Sequence, residues 1–312
     1  MCVFFAAGCS QDHTESEVDT LQEVTLALNW YAEAEHGGYV AMRELDLLRD
    51  SDVSLTIQQG GPGAPNLVIQ ELAAKRIKFA VSNADLVVLA RAKGVPLVAV
   101  AAPLQMSPRC IMVHEASGFQ SLKDLSNVEL AISDSRPFAL WMKHKLPLTN
   151  VTMVPFSGSV GEFLQKPRFA QQGYVFSEPF VAKEKGADPK VLMLSDIGFN
   201  PYSSLLVTTQ ELIDEEPELV ASIVRASVEG WKHYLANPDQ VNAAIHRDNQ
   251  DMSLESLSYG VQAMKPLCET ADPLCSMSLE RWQTLIRQIE ELKEIESGSV
   301  KPEDCFTTSF LP

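Results

Sequence analysis

Residues 28–38, which read LNWYAEAEHGG and follow an apolar run, bring together two aromatic side chains, two carboxylates, a histidine and two glycines. Trp30 and Tyr31 offer flat apolar faces on which a heterocycle can stack. His36 offers a hydrogen-bonding edge, and the two glycines allow the backbone to approach closely at the start of a helix. The stretch therefore predicts a small-molecule contact. The alternative is that Trp30 belongs to the core and His36 decorates a helix start.

Further polar and aromatic side chains occur in loops that follow predicted strands. In open parallel sheets, ligands bind beyond the carboxyl ends of the strands, where loops and helix N-termini converge. Most of the side chains that we predict to bind ligand fall in or beside such loops. They are Asn29, Trp30, Tyr31, His36, Gly61, Asn83, Arg136, Phe138, Trp141, Glu178 and Tyr202.

Several of these residues also have structural alternatives. Asn83 can cap a helix, and Glu178 can be an acid that the helix dipole favours at a helix start. Phe138 and Trp141 lie three apart on a predicted helix, a spacing typical of core residues. If Arg136 dominates the site, an anion becomes the favoured ligand.

Short β-rich runs alternate with helical runs through the first two thirds of the chain, which predicts parallel βαβ units in two α/β layers. Strands are predicted at 24–28, 53–57, 78–82, 96–102, 110–114, 128–133, 151–156, 191–194 and 205–209. Four helices follow, at 217–235, 238–247, 254–264 and 279–295, and we assign them to the first layer. The predicted domains are a first lobe of residues 23–108 plus 211–312 and a second lobe of residues 109–210. Two crossings between the lobes form a hinge.

The bulk composition excludes several classes of protein. The chain has 312 residues, a formal net charge of −16 and 46% hydrophobic residues, so a nucleic-acid partner and disorder are both disfavoured. Cys110, Cys268, Cys275 and Cys305 lack the spacing of a zinc site, and we predict no metal and no cofactor. The sequence does not choose among the three possible disulfide pairings of these four cysteines, although Cys268 and Cys275 lie near each other in the chain.

The first nine residues, MCVFFAAGC, run from apolar to small residues and end on Cys9. This order is typical of the end of a bacterial lipoprotein signal, in which Cys9 becomes the lipidated N-terminus. Only eight residues precede Cys9 and none is basic, so we expect the true start to lie upstream or the chain to have been trimmed. Residues 10–22 then form a tether, which makes residues 1–22 a signal remnant and tether. The alternative is a chance cysteine in a short apolar N-terminus.

From about residue 24 to residue 295 the chain resembles substrate-binding proteins of bacterial ABC importers. It is most similar to the group that contains thiamine-pyrimidine-precursor binders and the fungal pyrimidine synthase, with sulfonate, nitrate and riboflavin binders as cousins. The residues that carry the resemblance are 28–30 with 35–37, 80–85, 94–100, 117–125 and 177–180. The segments 94–100 and 117–125 are signatures of the superfamily, whereas the tryptophan with Glu-His-Gly is narrower and points to the pyrimidine group.

The resemblance implies a two-lobed periplasmic-binding-protein-like α/β fold of type II, with two parallel-type sheets flanked by helices and a two-strand hinge. It also implies a monomeric receptor in the periplasm or cell envelope, anchored to a membrane by lipid. Such a receptor delivers a small aromatic heterocycle to an ABC permease and its ATPase. The alternatives are a sulfonate-, nitrate- or taurine-type anion receptor and a pyrimidine-synthase-like enzyme. The fungal enzyme uses a histidine in the position that His36 resembles, with nearly adjacent cysteines that this sequence lacks, so we expect no enzyme.

Overall fold

The computed structural model describes residues 1 and 21–312, so the predicted lipidation residue Cys9 and most of the predicted tether lie outside the described part. The strands are β1 (Gln22–Ala27), β2 (Val53–Gln58), β3 (Phe79–Ser82), β4 (Leu97–Ala101), β5 (Arg109–His114), β6 (Glu129–Ala131), β7 (Thr152–Val154), β8 (Phe169–Tyr174), β9 (Pro189–Met193) and β10 (Leu205–Thr209). The helices are α1 (Gly37–Glu44), α2 (Ala64–Ala73), α3 (Ala84–Ala92), α4 (Pro137–Lys145), α5 (Gly161–Gln165), α6 (Glu178–Glu184), α7 (Gln210–Glu215), α8 (Pro217–Ala236), α9 (Asp239–Asp248), α10 (Leu254–Cys268) and α11 (Leu279–Glu291).

The strands form two five-stranded sheets, one in each lobe, as the two-lobed α/β fold predicts. The first sheet has the order β2-β1-β3-β10-β4, and the second has the order β7-β6-β8-β5-β9. In the first sheet β1 is parallel to β2 and β3, and in the second β6 is parallel to β7 and β8. The parallel pairs bring the carboxyl ends of their strands to one edge of each sheet.

Each sheet is mixed, because it contains one strand that runs against its neighbours. These strands are β10, antiparallel to β3 and β4, and β5, antiparallel to β8 and β9. Both are the first strand after a crossing between the lobes. The chain leaves one lobe at the carboxyl ends of its parallel strands and enters the other at the facing edge, so the entering strand must run in the opposite direction.

The strand β10 also corrects the predicted domain boundary. Residues 109–210 are the predicted second lobe, yet residues 205–209 form a central strand of the first sheet. Four of these five residues are buried, so β10 fills the space between β3 and β4. The second segment of the first lobe therefore begins before residue 211.

Four helices after β10 pack mainly on the first lobe. Helices α8, α9 and α10 bury their apolar faces against β1, β2 and α1, around the fully buried Trp231 and Tyr234. Helix α11 contributes the buried Trp282 to a second cluster, which continues into the interior of the second lobe. Among the residues that the structure describes, no helix is both long enough and apolar enough to cross a bilayer.

The four cysteines Cys110, Cys268, Cys275 and Cys305 are buried and free. The pairing of Cys268 with Cys275 is therefore absent from this structure, in which both side chains lie in the apolar cluster of the first lobe as thiols. Burial raises the pKa of both thiols, which keeps them uncharged.

Candidate functional site

A cleft of about 370 Å³ lies where the loops of the two lobes face each other. Its walls come from both lobes, and the loops belong to strands that end or begin at this edge. From the first lobe the lining residues are Asn29, Trp30, Glu33, Glu35, Pro62, Gly63, Pro65, Asn66 and Asn83. From the second lobe they are Arg109, Ser133, Ser135, Arg136, Phe138, Phe156, Ser157, Gln172, Gly173, Tyr174 and Glu178.

Strand direction explains why these side chains meet. The first-lobe residues follow β1, β2 and β3, and most of the second-lobe residues follow β6, β7 and β8. Three others, Gln172, Gly173 and Tyr174, are the last residues of β8 itself. Arg109 differs from all of these, because it is the first residue of β5. Since β5 runs against its neighbours, its beginning lies at the same edge as their ends.

Aromatic side chains stand on both walls of the cleft. The first lobe supplies Trp30, and the second supplies Phe138, Phe156 and Tyr174. The indole of Trp30 also spans the gap, because a Cβ atom at Gly158 would lie 3.4 Å from Trp30 Cζ2. Gly158 has a φ of 78°, so glycine suits both its backbone conformation and this contact. The walls can therefore hold a flat ring between aromatic faces.

Arg109 and Tyr174 form the polar centre of the second-lobe wall. The guanidinium of Arg109 lies 4.3 Å from the ring centroid of Phe138 and 4.5 Å from that of Tyr174. Arg109 Nη2 donates to Tyr174 Oη at 2.8 Å, and Asn83 Nδ2 donates to the same oxygen at 3.3 Å across the cleft. Because both lone pairs of this hydroxyl are engaged, its O–H group remains as a donor.

Three carboxyl groups line the cleft, and burial raises the pKa of each. Desolvation raises the pKa of Glu35 to about 7 and that of Glu33 well above its usual range. It also raises the pKa of Glu178, whose Oε2 accepts a hydrogen bond from the backbone N–H of Tyr174 at 2.8 Å. The cleft therefore offers several hydrogen-bond acceptors with less negative charge than three ordinary carboxylates would carry.

His36 is fully buried and does not line the cleft, but it contacts a residue that does. The backbone N–H of Glu33 donates to His36 Nδ1 at 3.3 Å, which assigns the ring proton to Nε2. His36 Nε2 then donates to Asn29 Oδ1 at 3.0 Å. This bond points the amide oxygen at the imidazole, so the end of the amide turned away from His36 is its Nδ2 donor. Burial lowers the pKa of His36 to about 3 and keeps the ring neutral.

Six of the predicted binding residues lie on the cleft wall: Asn29, Trp30, Asn83, Arg136, Phe138 and Glu178. Asn83 sits at the N-cap of α3, but its side chain makes no capping bond. Its Oδ1 instead accepts from the backbone N–H of Ser204 at 3.0 Å. The Nε atom of Arg136 is buried and has no hydrogen-bond partner among the described residues.

The other five predicted residues lie off the wall, and their geometry supports other roles. One of them is His36, described above. Tyr31 and Gly61 lie beside each other, and the Tyr31 ring packs in an edge-type arrangement with that of Trp30. Tyr31 is 46% exposed. Trp141 is buried and donates through Nε1 to the carbonyl of Ile197 at 2.9 Å. Tyr202 is buried, and its hydroxyl accepts from the N–H of Ser278 at 3.0 Å. For Trp141 and Tyr202 the core alternative describes the geometry.

Arg109 and Tyr174 are the main residues that sequence reasoning missed. Neither belongs to a motif, and each stands at the end of a strand among ordinary neighbours. Glu33 and Glu35 lie within residues 28–38, but nothing in the sequence distinguishes them from solvent-exposed acids. Only their burial, at 7% and 2% exposure, distinguishes them.

A second groove, of about 620 Å³, lies far from this chemistry. It is lined by Gln22 and Val53, which begin β1 and β2, and by exposed charged side chains of α8. The groove is therefore at the amino ends of the strands, and its described lining contains no aromatic side chain. Within the described residues, no group of three or more His, Cys, Asp or Glu side chains could hold a metal ion.

Comparison with known families places this architecture. Residues 33–241, which include most of the cleft residues from both lobes, match the family described as NMT1/THI5 like. The chain belongs to the NMT1/THI5-like family. Two relatives extend the likeness to nearly the full length of the chain.

The formylaminopyrimidine-binding protein of Halalkalibacterium halodurans is 26% identical over 332 aligned residues, which cover 99% of this chain and 96% of the relative. The 4-amino-5-hydroxymethyl-2-methylpyrimidine phosphate synthase of Legionella pneumophila is 28% identical, and the alignment covers 93% of this chain and 92% of the relative. Of these two relatives, one is named for binding and the other for synthesis.

Solved structures show the same fold. The periplasmic aliphatic sulphonate binding protein SsuA of Escherichia coli superposes with a TM-score of 0.69, over 91% of each chain, at 15% sequence identity. At this identity the likeness concerns the fold. It confirms the two-lobed periplasmic-binding-protein architecture that the sequence predicts.

Proposed function

We propose that this NMT1/THI5-like protein is the substrate-binding component of an ABC importer and captures a thiamine-pyrimidine precursor in the cleft between its lobes. Formylaminopyrimidine is the compound we name, because it is the ligand in the name of a near full-length relative. The observation that carries the proposal is a cleft with aromatic faces on both walls and hydrogen-bonding groups between them. An aminopyrimidine needs both, since its ring stacks and its edges donate and accept.

The charge of the cleft favours a heterocycle over a sulfonate-type anion. Glu33, Glu35 and Glu178 surround the same space as Arg109 and Arg136. The guanidinium of Arg109 is already engaged with two rings and a hydroxyl. A sulfonate would bring a further negative charge beside three buried acids, and a buried charge is costly unless it is paired. Among the described residues of the wall, Arg136 would be the cation left to pair with it.

The placement of thiols and histidine supports binding rather than synthesis. The four described cysteines are buried in the core, and none lines the cleft. His36 is neutral and enclosed, with both ring nitrogens in hydrogen bonds. Among the residues that the structure describes, no thiol or titrating imidazole therefore faces the space where a ligand would lie.

The proposed receptor is monomeric, lipidated at Cys9 and held in the periplasm or cell envelope beside a permease and its ATPase. Ligand closes the lobes because each lobe supplies half of the contacts, so the closed state alone offers all of them. Calorimetry with formylaminopyrimidine, with riboflavin and taurine as competitors from the alternative classes, tests the ligand class. Stronger binding of taurine than of formylaminopyrimidine would overturn it.

Trp30 provides the sharpest test of the stacking contact. Replacing Trp30 with Ala removes an aromatic face that also spans the cleft to Gly158, and we expect formylaminopyrimidine affinity to fall about 100-fold. Tyr31→Ala is the matched aromatic control, because Tyr31 is adjacent in sequence but does not line the cleft. We expect it to lose less than about fivefold. Equal losses of affinity in the two variants would contradict the stacking of Trp30 on the ligand.

A further inference from the structure

Two acids from one loop meet inside the cleft. Glu33 and Glu35 both line it, both are buried, and their carboxyl groups lie within hydrogen-bonding reach of each other. Two carboxylates cannot bond to each other unless a proton lies between them. The burial of two acids in one cleft therefore raises the question of how many charges the pair carries.

Each acid has one hydroxyl partner from another part of the chain. Ser177 Oγ donates to Glu33 Oε2 at 2.8 Å, and Ser177 begins the turn into α6 of the second lobe, so this bond joins the two lobes. Ser204 Oγ, from the second crossing, donates to Glu35 Oε2. Hydroxyls stabilise a carboxylate but do not neutralise it.

No lysine or arginine within the described residues forms an ion pair with either acid. The nearest salt-bridge geometry joins Glu35 Oε1 to His36 Nε2 at 3.8 Å, and that ring is neutral. The titratable and charged groups that face the pair from all packed elements are His36, Tyr39, Arg109, Tyr174, Glu178 and Tyr234. Arg109 is the single cation among them, and it also serves Glu178.

Charge balance then favours one proton on the pair. With both acids ionised, Glu33, Glu35 and Glu178 would share one nearby guanidinium, that of Arg109, which is already engaged. A buried unpaired charge is among the most costly features of a protein interior. The loss of water and the like charge of Glu35 both raise the pKa of Glu33. Separating the lobes would hydrate both acids in part, because they line the cleft, and would lower their pKa enough to release the proton near pH 8.

We infer that the closed cleft holds one proton shared between Glu33 and Glu35, so that ligand capture takes up a proton and ligand affinity falls as pH rises. The inference rests on the proposed function for its ligand. The proton comes from solvent on closure and returns to solvent on opening, so no other reactant is needed. The pair then acts as a single negative acceptor for a ligand that carries N–H donors.

Calorimetry with formylaminopyrimidine in buffers of different ionisation enthalpy measures the proton uptake directly. We expect close to one proton per ligand near pH 8 and an affinity that falls by up to about tenfold per pH unit above neutrality. Glu33→Gln, which is neutral at every pH, should lose both the uptake and the slope, whatever its affinity. Glu255→Gln, an exposed acid in the first turn of α10, should keep both. No uptake and a flat wild-type profile from pH 6 to pH 9 would overturn the inference.

A ligand-free measurement separates this inference from the proposed function. Contacts that do not depend on closure, such as Ser204 with Glu35, keep the pair partly enclosed in the ligand-free protein, so it releases its proton at a higher pH than the unfolded chain, whose acids titrate near pH 4.5. Wild-type stability should therefore fall relative to Glu33→Gln as pH rises from 5 to 8. If formylaminopyrimidine gives no heat with wild type, the proposed function fails, and urea unfolding decides the inference. A stability difference that stays constant from pH 5 to pH 8 would then overturn it.

Discussion

At the scale of single residues, His36 shows how a buried side chain can shape a site without touching the ligand. Its Nε2 donates to Asn29 Oδ1, and its Nδ1 accepts from the backbone of Glu33. An asparagine amide that lacks this partner can rotate and present its oxygen to the cleft. The imidazole therefore fixes Asn29 as a donor.

Replacing His36 with Ala should reduce formylaminopyrimidine affinity about tenfold, because the amide of Asn29 loses its fixed orientation. His36→Gln should recover most of that loss, since the amide nitrogen of glutamine can donate where Nε2 did. Calorimetry on folded protein measures both variants. If Gln and Ala bind equally weakly while both remain folded, His36 matters for packing and the orientation of Asn29 is irrelevant to binding.

The same scale shows which site residues a sequence can reveal. Asn29, Trp30 and Glu178 were recognisable because unusual side chains follow strand ends within a few residues. Arg109 was not, because its place at the cleft depends on the reversed direction of β5. Trp141 and Tyr202 resemble ligand contacts in sequence and are buried in the core, because aromatic side chains on helices and crossings are more often needed for packing.

At the scale of elements, the glycine pair that opens α1 serves helix packing. A Cβ atom at Gly38 would lie 2.2 Å from the Trp231 ring, and one at Gly37 would lie 2.0 Å from the Tyr234 ring. On the opposite helix, a Cβ at Gly230 would lie 2.2 Å from the carbonyl oxygen of Gly38. The glycines thus bring α1 and α8 into backbone contact, and the preceding loop reaches the cleft from that fixed point.

Gly38→Ala should destabilise the protein by about 3 kcal/mol or more, because neither the Trp231 ring nor the backbone behind it has room to move. Gly161→Ala is the matched control: it also lies at a helix start, and its nearest neighbour, Ser159 Oγ, is at an ordinary 3.4 Å. We expect that control to stay within about 0.5 kcal/mol of wild type in urea unfolding. Similar unfolding free energies for both variants would contradict the packing argument.

Elements also differ in how well the sequence predicts them. Strands such as β2 and β10 were found within a residue or so, because their β-rich runs are bounded by turn or helix signals. The central strand β8 was missed, since its sequence FAQQGY places two glutamines and a glycine where an apolar run is expected. Beside the cleft, Gln172 Oε1 accepts a hydrogen bond from the backbone N–H of Ser133 at 2.7 Å. The polar residues that β8 supplies beside the cleft therefore interrupt the apolar pattern by which a buried strand is predicted.

At the scale of the whole molecule, the two crossings between the lobes are tied to each other. The backbone N–H of Ser107 donates to Asn200 Oδ1 at 2.8 Å, and Leu104 pairs with Ser203 in a bridge. Arg281 of α11 reaches both segments, donating through Nη1 to the carbonyl of Gln105 and through Nε to the carbonyl of Asn200 at 2.8 Å. The alternation of strands and helices predicted two lobes and a hinge, but this cross-link depends on a residue far along the chain.

Replacing Arg281 with Lys should loosen this hinge. An ammonium group lacks the planar fork of donors that reaches both carbonyls. It also cannot stack on Tyr202 as the guanidinium does, 3.8 Å from the ring centroid. We expect a loss of about 2 kcal/mol in unfolding free energy and a larger difference in radius of gyration between ligand-free and formylaminopyrimidine-bound protein. Urea unfolding and small-angle X-ray scattering measure the two effects. Arg287→Lys, on the same helix with an exposed side chain, is the matched control. An Arg281→Lys variant with wild-type stability and wild-type scattering in both states would show that the crossings hold their spacing without the arginine, and that lobe closure is governed by the cleft contacts alone.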